Sequence, residues 1–361
     1  MSRRERILVI RTDRIGDVVL ATPLIRGLRR RFPEAYIAAM VRPYTKDLLL
    51  HNPHLDDILV DDPEEEHAGR KGFWSQVRVL KKHRFDTALL LLPTERLAWM
   101  LFVAGVRTRI SVGLRLYQVL TFMKTVSRHK YIPLRHEADY CLDLGRSIGV
   151  EEDDLSVELF LTEGERNRAA SILEMEHGRG RNDAGILRVG IHMGHGHSAP
   201  NWKPDRYLEL ASLLLDHEQV WIVLTGSQSE TADTEGFGRL HSSRVVNVAG
   251  RLSLRELMAV ISHLDLLVSA STGPMHIAAG LKVPTLSLFC PLPACSPQLW
   301  GPLGNRAEVV LPPDRYCSSV CPGDPHICDL EGGIRPANIY EKAVEMLSLG
   351  PHAAGASSAI T

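Results

Sequence analysis

The sequence predicts an α/β protein made of two parallel-sheet halves. Short β-rich runs alternate with longer amphipathic stretches along almost the whole chain, the pattern of strands joined by crossover helices. The alternation breaks once, at HGRGRNDAG (177–185), where Gly, Asn and Asp interrupt both periodicities. The 361 residues suffice for two domains with separate cores.

In the first half, Arg6–Arg11, Tyr36–Val41, Asp57–Val60, Thr87–Leu92 and Ile110–Gly113 read as strands. Val18–Phe32, Tyr44–His51, Phe73–His83 and Glu163–His177 read as helices. The second half offers strands Leu187–His192, Val220–Thr225, Val245–Asn247, Leu266–Ser269 and Thr285–Phe289. Its helices are Pro204–Asp216, Glu230–Leu240, Ser253–His263 and one opening at Pro274. The expected division is a domain over 1–176, a linker over 177–185, a domain over 186–335, a last helix over 336–349 and a disordered tail over 350–361.

Bulk properties exclude some functions. With 42 Lys and Arg against 43 Asp and Glu, no global field draws the chain to nucleic acid. No run approaches the roughly 18–20 apolar residues of a membrane span. MSRRERILVIR leads straight into a first strand and is not read as a signal peptide. A cytoplasmic protein is expected, with at most peripheral contact at the inner face of the cytoplasmic membrane. The basic run Arg26–Arg31 reads as the solvated C-terminal end of a helix. Among six cysteines, Cys317, Cys321 and Cys328 lie close in sequence with His326, but they lack paired Cys-x-x-Cys knuckles, so no metal and no cofactor are expected.

In parallel sheets ligands gather beyond the carboxyl ends of strands, so loops after strands carry the chemistry. After the first strand comes Thr12-Asp13-Arg14-Ile15-Gly16-Asp17. Gly16 allows a tight turn, and Asp17 falls near a helix start, where a carboxylate serves as a cap or as a base. Asp13 is a second candidate carboxylate. The G-x-G-x-x-G fingerprint of dinucleotide binding is absent. The second loop, Ser269-Ala270-Ser271-Thr272-Gly273-Pro274, ends in a Pro-marked helix start, whose free N–H groups suit phosphate. His276 lies one turn in, as either a core histidine or a ligand contact.

These loops, ILVIRTDRIGDVVLATPLIRGLRRRF and VNVAGRLSLRELMAVISHLDLLVSASTGPMHIAAGLKVPTLSLFCP, resemble those of the ADP-heptose:lipopolysaccharide heptosyltransferases, glycosyltransferase family 9. NWKPDRYLELASLL and VWIVLTGSQSE match in the same order. The resemblance implies a GT-B fold of two facing Rossmann-like domains, acceptor on the first and nucleotide sugar on the second. It also implies an inverting, metal-independent transfer of a heptose or related sugar from ADP-heptose to a lipopolysaccharide-core or other glycan hydroxyl, with Asp17 as general base. By the same resemblance Thr272, Gly273 and His276 contact the donor, Leu252 lies against its base, Gly194 and His195 sit near the diphosphate, and Glu230 holds a ribose hydroxyl. The sequence departs from the family pattern at Ser271, often Asp, and at Pro200, often basic; Lys203, or His195 and His197, are the cations at hand. Arg14, Gly16, Arg42 and Arg115 follow strands of the first half and are candidate acceptor contacts. A nucleotide-sugar-binding scaffold that has lost catalysis is the alternative.

Overall fold

A computed structural model of the chain describes residues 4–177, 185–194, 199–240, 242–321, 323–324, 327–330 and 333–349. The chain divides into two compact units. The first comprises Met1–Glu163, Ala279–Lys282 and Ser296–Asn305; the second comprises Gly164–Ala278, Val283–Cys295 and Arg306–Thr361. Helix Glu163–His177, read from the sequence as the end of the first half, thus groups almost wholly with the second unit. The proposed linker and tail fall largely outside the described residues, as do His195, His197 and His326.

In the first unit, β1 (Arg6–Ile10), β2 (Tyr36–Val41), β3 (Asp57–Val60), β4 (Thr87–Leu90), β5 (Thr108–Val112) and β6 (Lys124–Val126) form one parallel sheet in the order β3-β2-β1-β4-β5-β6. Strands covered on both faces read as continuous apolar runs, and RILVI is such a run. Leu8, Ile10, Met40 and Leu90 pack on one side against Val77 and Leu80 of helix Gly69–His83 and Leu97 and Leu101 of helix Glu95–Ala104. The alternate residues Ile7, Val9 and Leu89 are equally buried.

In the second unit, β7 (Leu187–His192), β8 (Val220–Thr225), β9 (Val245–Asn247), β10 (Leu266–Ala270), β11 (Thr285–Leu288) and β12 (Ala307–Val310) repeat the pattern in the order β12-β11-β10-β7-β8-β9. Tyr207, Leu210 and Leu214 of helix Pro204–Leu215 and Ile339 and Ala343 of helix Pro336–Met346 share its core with Ile191, Leu224, Val268 and Leu286. The last helix is therefore part of this core.

Several elements differ from the sequence expectation for identifiable reasons. Val18–Phe32 is two helices, Ile15–Val19 and Thr22–Arg31; Pro23 has no N–H to extend the first, and Thr22 Oγ1 donates to the Val19 carbonyl at 2.8 Å at the break. Tyr44–His51 is a 3₁₀ segment, Pro43–Leu49. Glu230–Leu240 is three short pieces, with Gly236 and Gly238 in the last. Arg26 is not solvated: it is 5% exposed and donates to the Ser156 carbonyl at 2.8 Å and Glu152 at 3.3 Å.

Candidate functional site

Each sheet reverses its winding once, between β1 and β4 in the first unit and between β7 and β10 in the second. At such a switch point the loops leave in opposite directions and open a crevice at the strands' carboxyl ends. Both loops singled out in the sequence leave from these points.

In the first unit the crevice is a cavity of about 790 Å³. Its lining follows four strands: Arg11, Asp13 and Asp17 after β1, Leu91–Pro93 after β4, Gly113–Arg115 after β5, and Ser127, Arg128 and Tyr131 after β6, joined by Glu137 and Trp300. Asp17 sits in the first turn of helix Ile15–Val19 but does not cap it; the capping position is Arg14, without a side-chain bond. Asp17 is instead bound through Oδ1 to the Arg11 guanidinium. Among the described residues no partner takes its Oδ2.

Arg11 organises this corner. Its side chain is 5% exposed, and it also donates to Asp13 Oδ1 at 2.8 Å and Glu137 Oε1 at 3.0 Å. Glu137, 3% exposed, is held from the other side by both nitrogens of Arg128 at 2.9 and 3.0 Å. Three carboxylates thus share two guanidinium groups. Burial, with the Asp17 charge adding to it, raises the Asp13 carboxyl to about 7 although Arg11 pulls it down. Burial works against the Arg11 cation, but Cys141, Asp13, Asp17 and Glu137 outweigh it and hold its pKa well above the ordinary value. Burial pushes the Cys141 thiol up to about 12, despite Arg11 at 3.6 Å. A neutral thiol packs there as a small apolar group.

Arg115 lines the cavity, exposed at the start of helix Leu116–Leu120. Arg42 does not: it pairs with Glu64 at 2.8 Å. Arg14 is exposed, and neither it nor Gly16 lines the cavity. Arg11, Arg128, Glu137, Tyr131 and Trp300 escaped sequence reading.

In the second unit, polar residues cross the sheet in register at its carboxyl end. Ser287 of β11 faces Ser269 of β10, which faces His192 of β7, which faces Thr225 of β8. All four are buried, and His192 Nδ1 lies 3.0 Å from Thr225 Oγ1. Beyond them Thr272 precedes helix Gly273–Gly280, in which His276 is 4% exposed. The hydroxyls of Thr272, Ser269 and Ser287 have no hydrogen-bond partner among the described residues. Buried hydroxyls usually have one, so this end of the sheet offers polar groups to a ligand.

Gly194 follows β7 and lies against the Glu230 carboxylate, so close that a Cβ would meet it. Glu230 Oε2 accepts from the Ser227 N–H at 2.7 Å in a capping box. Lys203 precedes helix Pro204–Leu215 and pairs with Asp329 at 3.1 Å. Leu252 is half-buried just before Ser253, which caps helix Leu254–Ile261. Cys317, Cys321 and Cys328 are free thiols, and no metal-holding group of His, Cys, Asp or Glu occurs among the described residues.

Comparison with known proteins agrees with this architecture. Residues 73–321 match the model of glycosyltransferase family 9 (heptosyltransferase), a stretch that begins after the Asp17 loop. Lipopolysaccharide heptosyltransferase 2 of Escherichia coli K12 is 26% identical over 324 residues, covering 84% of this chain and 87% of the relative. Lipooligosaccharide heptosyltransferase 2 of Haemophilus influenzae is 24% identical, covering 95% and 99%. Among solved structures, a family 9 glycosyl transferase from Veillonella parvula superposes with a TM-score of 0.82 at 22% identity, over 96% of this chain and 99% of that one. The E. coli ADP-heptose heptosyltransferase II superposes at 0.73, also 22% identical, over 95% and 98%. The chain is a GT-B-type glycosyltransferase and belongs to family 9, the heptosyltransferase family.

Proposed function

We propose that the protein transfers a heptose from ADP-heptose to a hydroxyl of a lipopolysaccharide-core acceptor, inverting the anomeric carbon without a metal. The observation that carries this reading is Asp17: it lines the first unit's cavity with Oδ1 fixed by buried Arg11 and Oδ2 without a partner among the described residues. A carboxylate so oriented can accept the proton of an acceptor hydroxyl as its oxygen attacks. The new C–O bond forms at the sugar's anomeric carbon as the bond to the diphosphate oxygen breaks. Attack opposite the leaving group inverts the centre, and the diphosphate departs with the bonding electrons.

The growing diphosphate charge needs donors. The N–H groups at the start of helix Gly273–Gly280, the Thr272 hydroxyl, His276 and Lys203 supply them from protein groups alone. Ser271 sits in the same turn. Arg115, exposed at the cavity, suits an anionic acceptor. The relatives' names, lipopolysaccharide and lipooligosaccharide heptosyltransferase, support the acceptor, and the name of the similar E. coli ADP-heptose heptosyltransferase II supports the donor.

The test is transfer from ADP-heptose to a deacylated core acceptor, with product stereochemistry read by NMR and UDP- and GDP-sugars as controls. Inverted product from ADP-heptose alone is expected. Retained configuration, or transfer only from another donor, contradicts the reading.

A further inference from the structure

Beside the acceptor cavity lies a surface that the transfer reaction leaves unexplained. Helix Leu116–Leu120 is amphipathic the wrong way round for a surface helix. Its inward residue is polar: Gln118 is fully buried and donates to Ser111 Oγ at 2.7 Å and the Val112 carbonyl at 2.9 Å. Its outward residues are Leu116, Val119 and Leu120, 74%, 56% and 51% exposed. Flanking it, Leu114, Phe122 and Ile132 are equally open, and Phe122 adopts a left-handed φ of 51° unusual for a bulky residue. Phe122 lies 6.1 Å, ring to ring, from Phe102.

Residues 96–136 hold eight Lys and Arg and no Asp or Glu. Arg96, Arg128 and Arg135 pair with carboxylates outside the segment and Arg109 is buried. Arg107, Arg115 and Lys124 are exposed among them. The surface is also continuous with the cavity, since Leu92, Leu114, Arg115 and Tyr131 line it and are themselves exposed.

We infer that residues 114–122, with Ile132, dock the enzyme on a bilayer carrying anionic headgroups. Exposed apolar side chains enter the headgroup boundary while the surrounding cations meet lipid phosphate, the arrangement of interfacial helices. A second copy fits less well, because pairing this face with itself would oppose two basic segments. The purpose rests on the proposed function: a lipid-linked acceptor would reach the cavity along the surface on which the enzyme sits. The binding itself does not depend on that reading.

The test is co-sedimentation of the full chain with vesicles of phosphatidylethanolamine and phosphatidylglycerol, against phosphatidylcholine vesicles. Binding to the anionic vesicles that salt weakens is expected. The triple variant Leu116→Ser/Leu120→Ser/Phe122→Ser should lower partitioning about tenfold or more. Arg107→Glu/Lys124→Glu should lower it about fivefold or more per residue. Both should leave the melting curve and transfer to a deacylated, water-soluble acceptor unchanged. Equal binding to both vesicle types, or undiminished binding by the triple variant, overturns the proposal. So does a native dimer, seen by sedimentation equilibrium, that the triple variant dissolves. Failure of the native enzyme to use the soluble acceptor would strike the transfer reading and leave the vesicle result standing.

Discussion

The carboxyl group of Asp13 couples the Arg11 corner of the first unit's cavity to pH. Its value rises from 3.8 to about 7 on folding, so the native state keeps a proton that the unfolded chain releases from about pH 4 upward. Stability from this group is full below pH 4 and is lost as pH rises through about 7. Asp13→Asn removes the titration, so its stability relative to the parent should grow from about pH 4 to about pH 7 and then level off. Parallel stability–pH curves in urea denaturation would show that Asp13 holds no such proton. Arg11 has the opposite part. Arg11→Met leaves Asp13, Asp17 and one side of Glu137 without their shared cation, at a cost of about 3–5 kcal/mol for a buried network. Denaturant unfolding measures it, and a loss under 1 kcal/mol would mean that the cluster repairs itself with water. On the donor side, Thr272→Val deletes a buried hydroxyl that has no partner among the described residues. Stability should hold or rise, while affinity for the nucleotide sugar falls about tenfold, as when a charged acceptor loses a donor. Unchanged calorimetric affinity would remove Thr272 from the site. Asp17 and the Ser271–His276 turn could be singled out because they lie within a few residues of a strand end, whereas Gly16, singled out beside Asp17, does not line the cavity. Arg11 could not be: it meets Glu137 126 residues away, a contact that no local spacing encodes.

At the scale of elements, the long apolar strands were legible, and of the four edge strands β3 and β9 were read while β6 and β12 were not. β6 is three residues, Lys124–Val126, and β12 is four, Ala307–Val310, too short to show a period. Helices Glu95–Ala104 and Glu137–Arg146 also went unread, although Thr94 caps the first and Glu137 opens the second. The loop after β7 depends on a close approach rather than on any helix or strand. Gly194→Ala puts a methyl on the Glu230 carboxylate, the far end of a flexible side chain, which swings aside and gives up its bond to the Ser227 N–H. Donor affinity should fall severalfold and stability by about 0.5–1.5 kcal/mol, the net worth of one hydrogen bond. A variant with native affinity and stability would show that Glu230 yields without consequence.

At the scale of the molecule, the sequence carried the doubly wound pattern because parallel strands buried on both faces announce themselves as apolar runs. It carried the two switch points less directly, since strand order emerges only from pairing. That order places the two candidate loops, after β1 and after β10, at the switch points between β1 and β4 and between β7 and β10. No described helix is long and apolar enough to cross a membrane, so an exposed apolar face on the first unit needs another explanation than a span. One measurement bears on the assignment of Asp17 more directly than any other. Asp17→Asn keeps the side-chain shape and removes the base. Single-turnover transfer from ADP-heptose should slow about 10²–10⁴-fold, while donor affinity measured by calorimetry stays within error of the parent. Transfer at the parent rate, with donor binding intact, would contradict the assignment of Asp17 as the base.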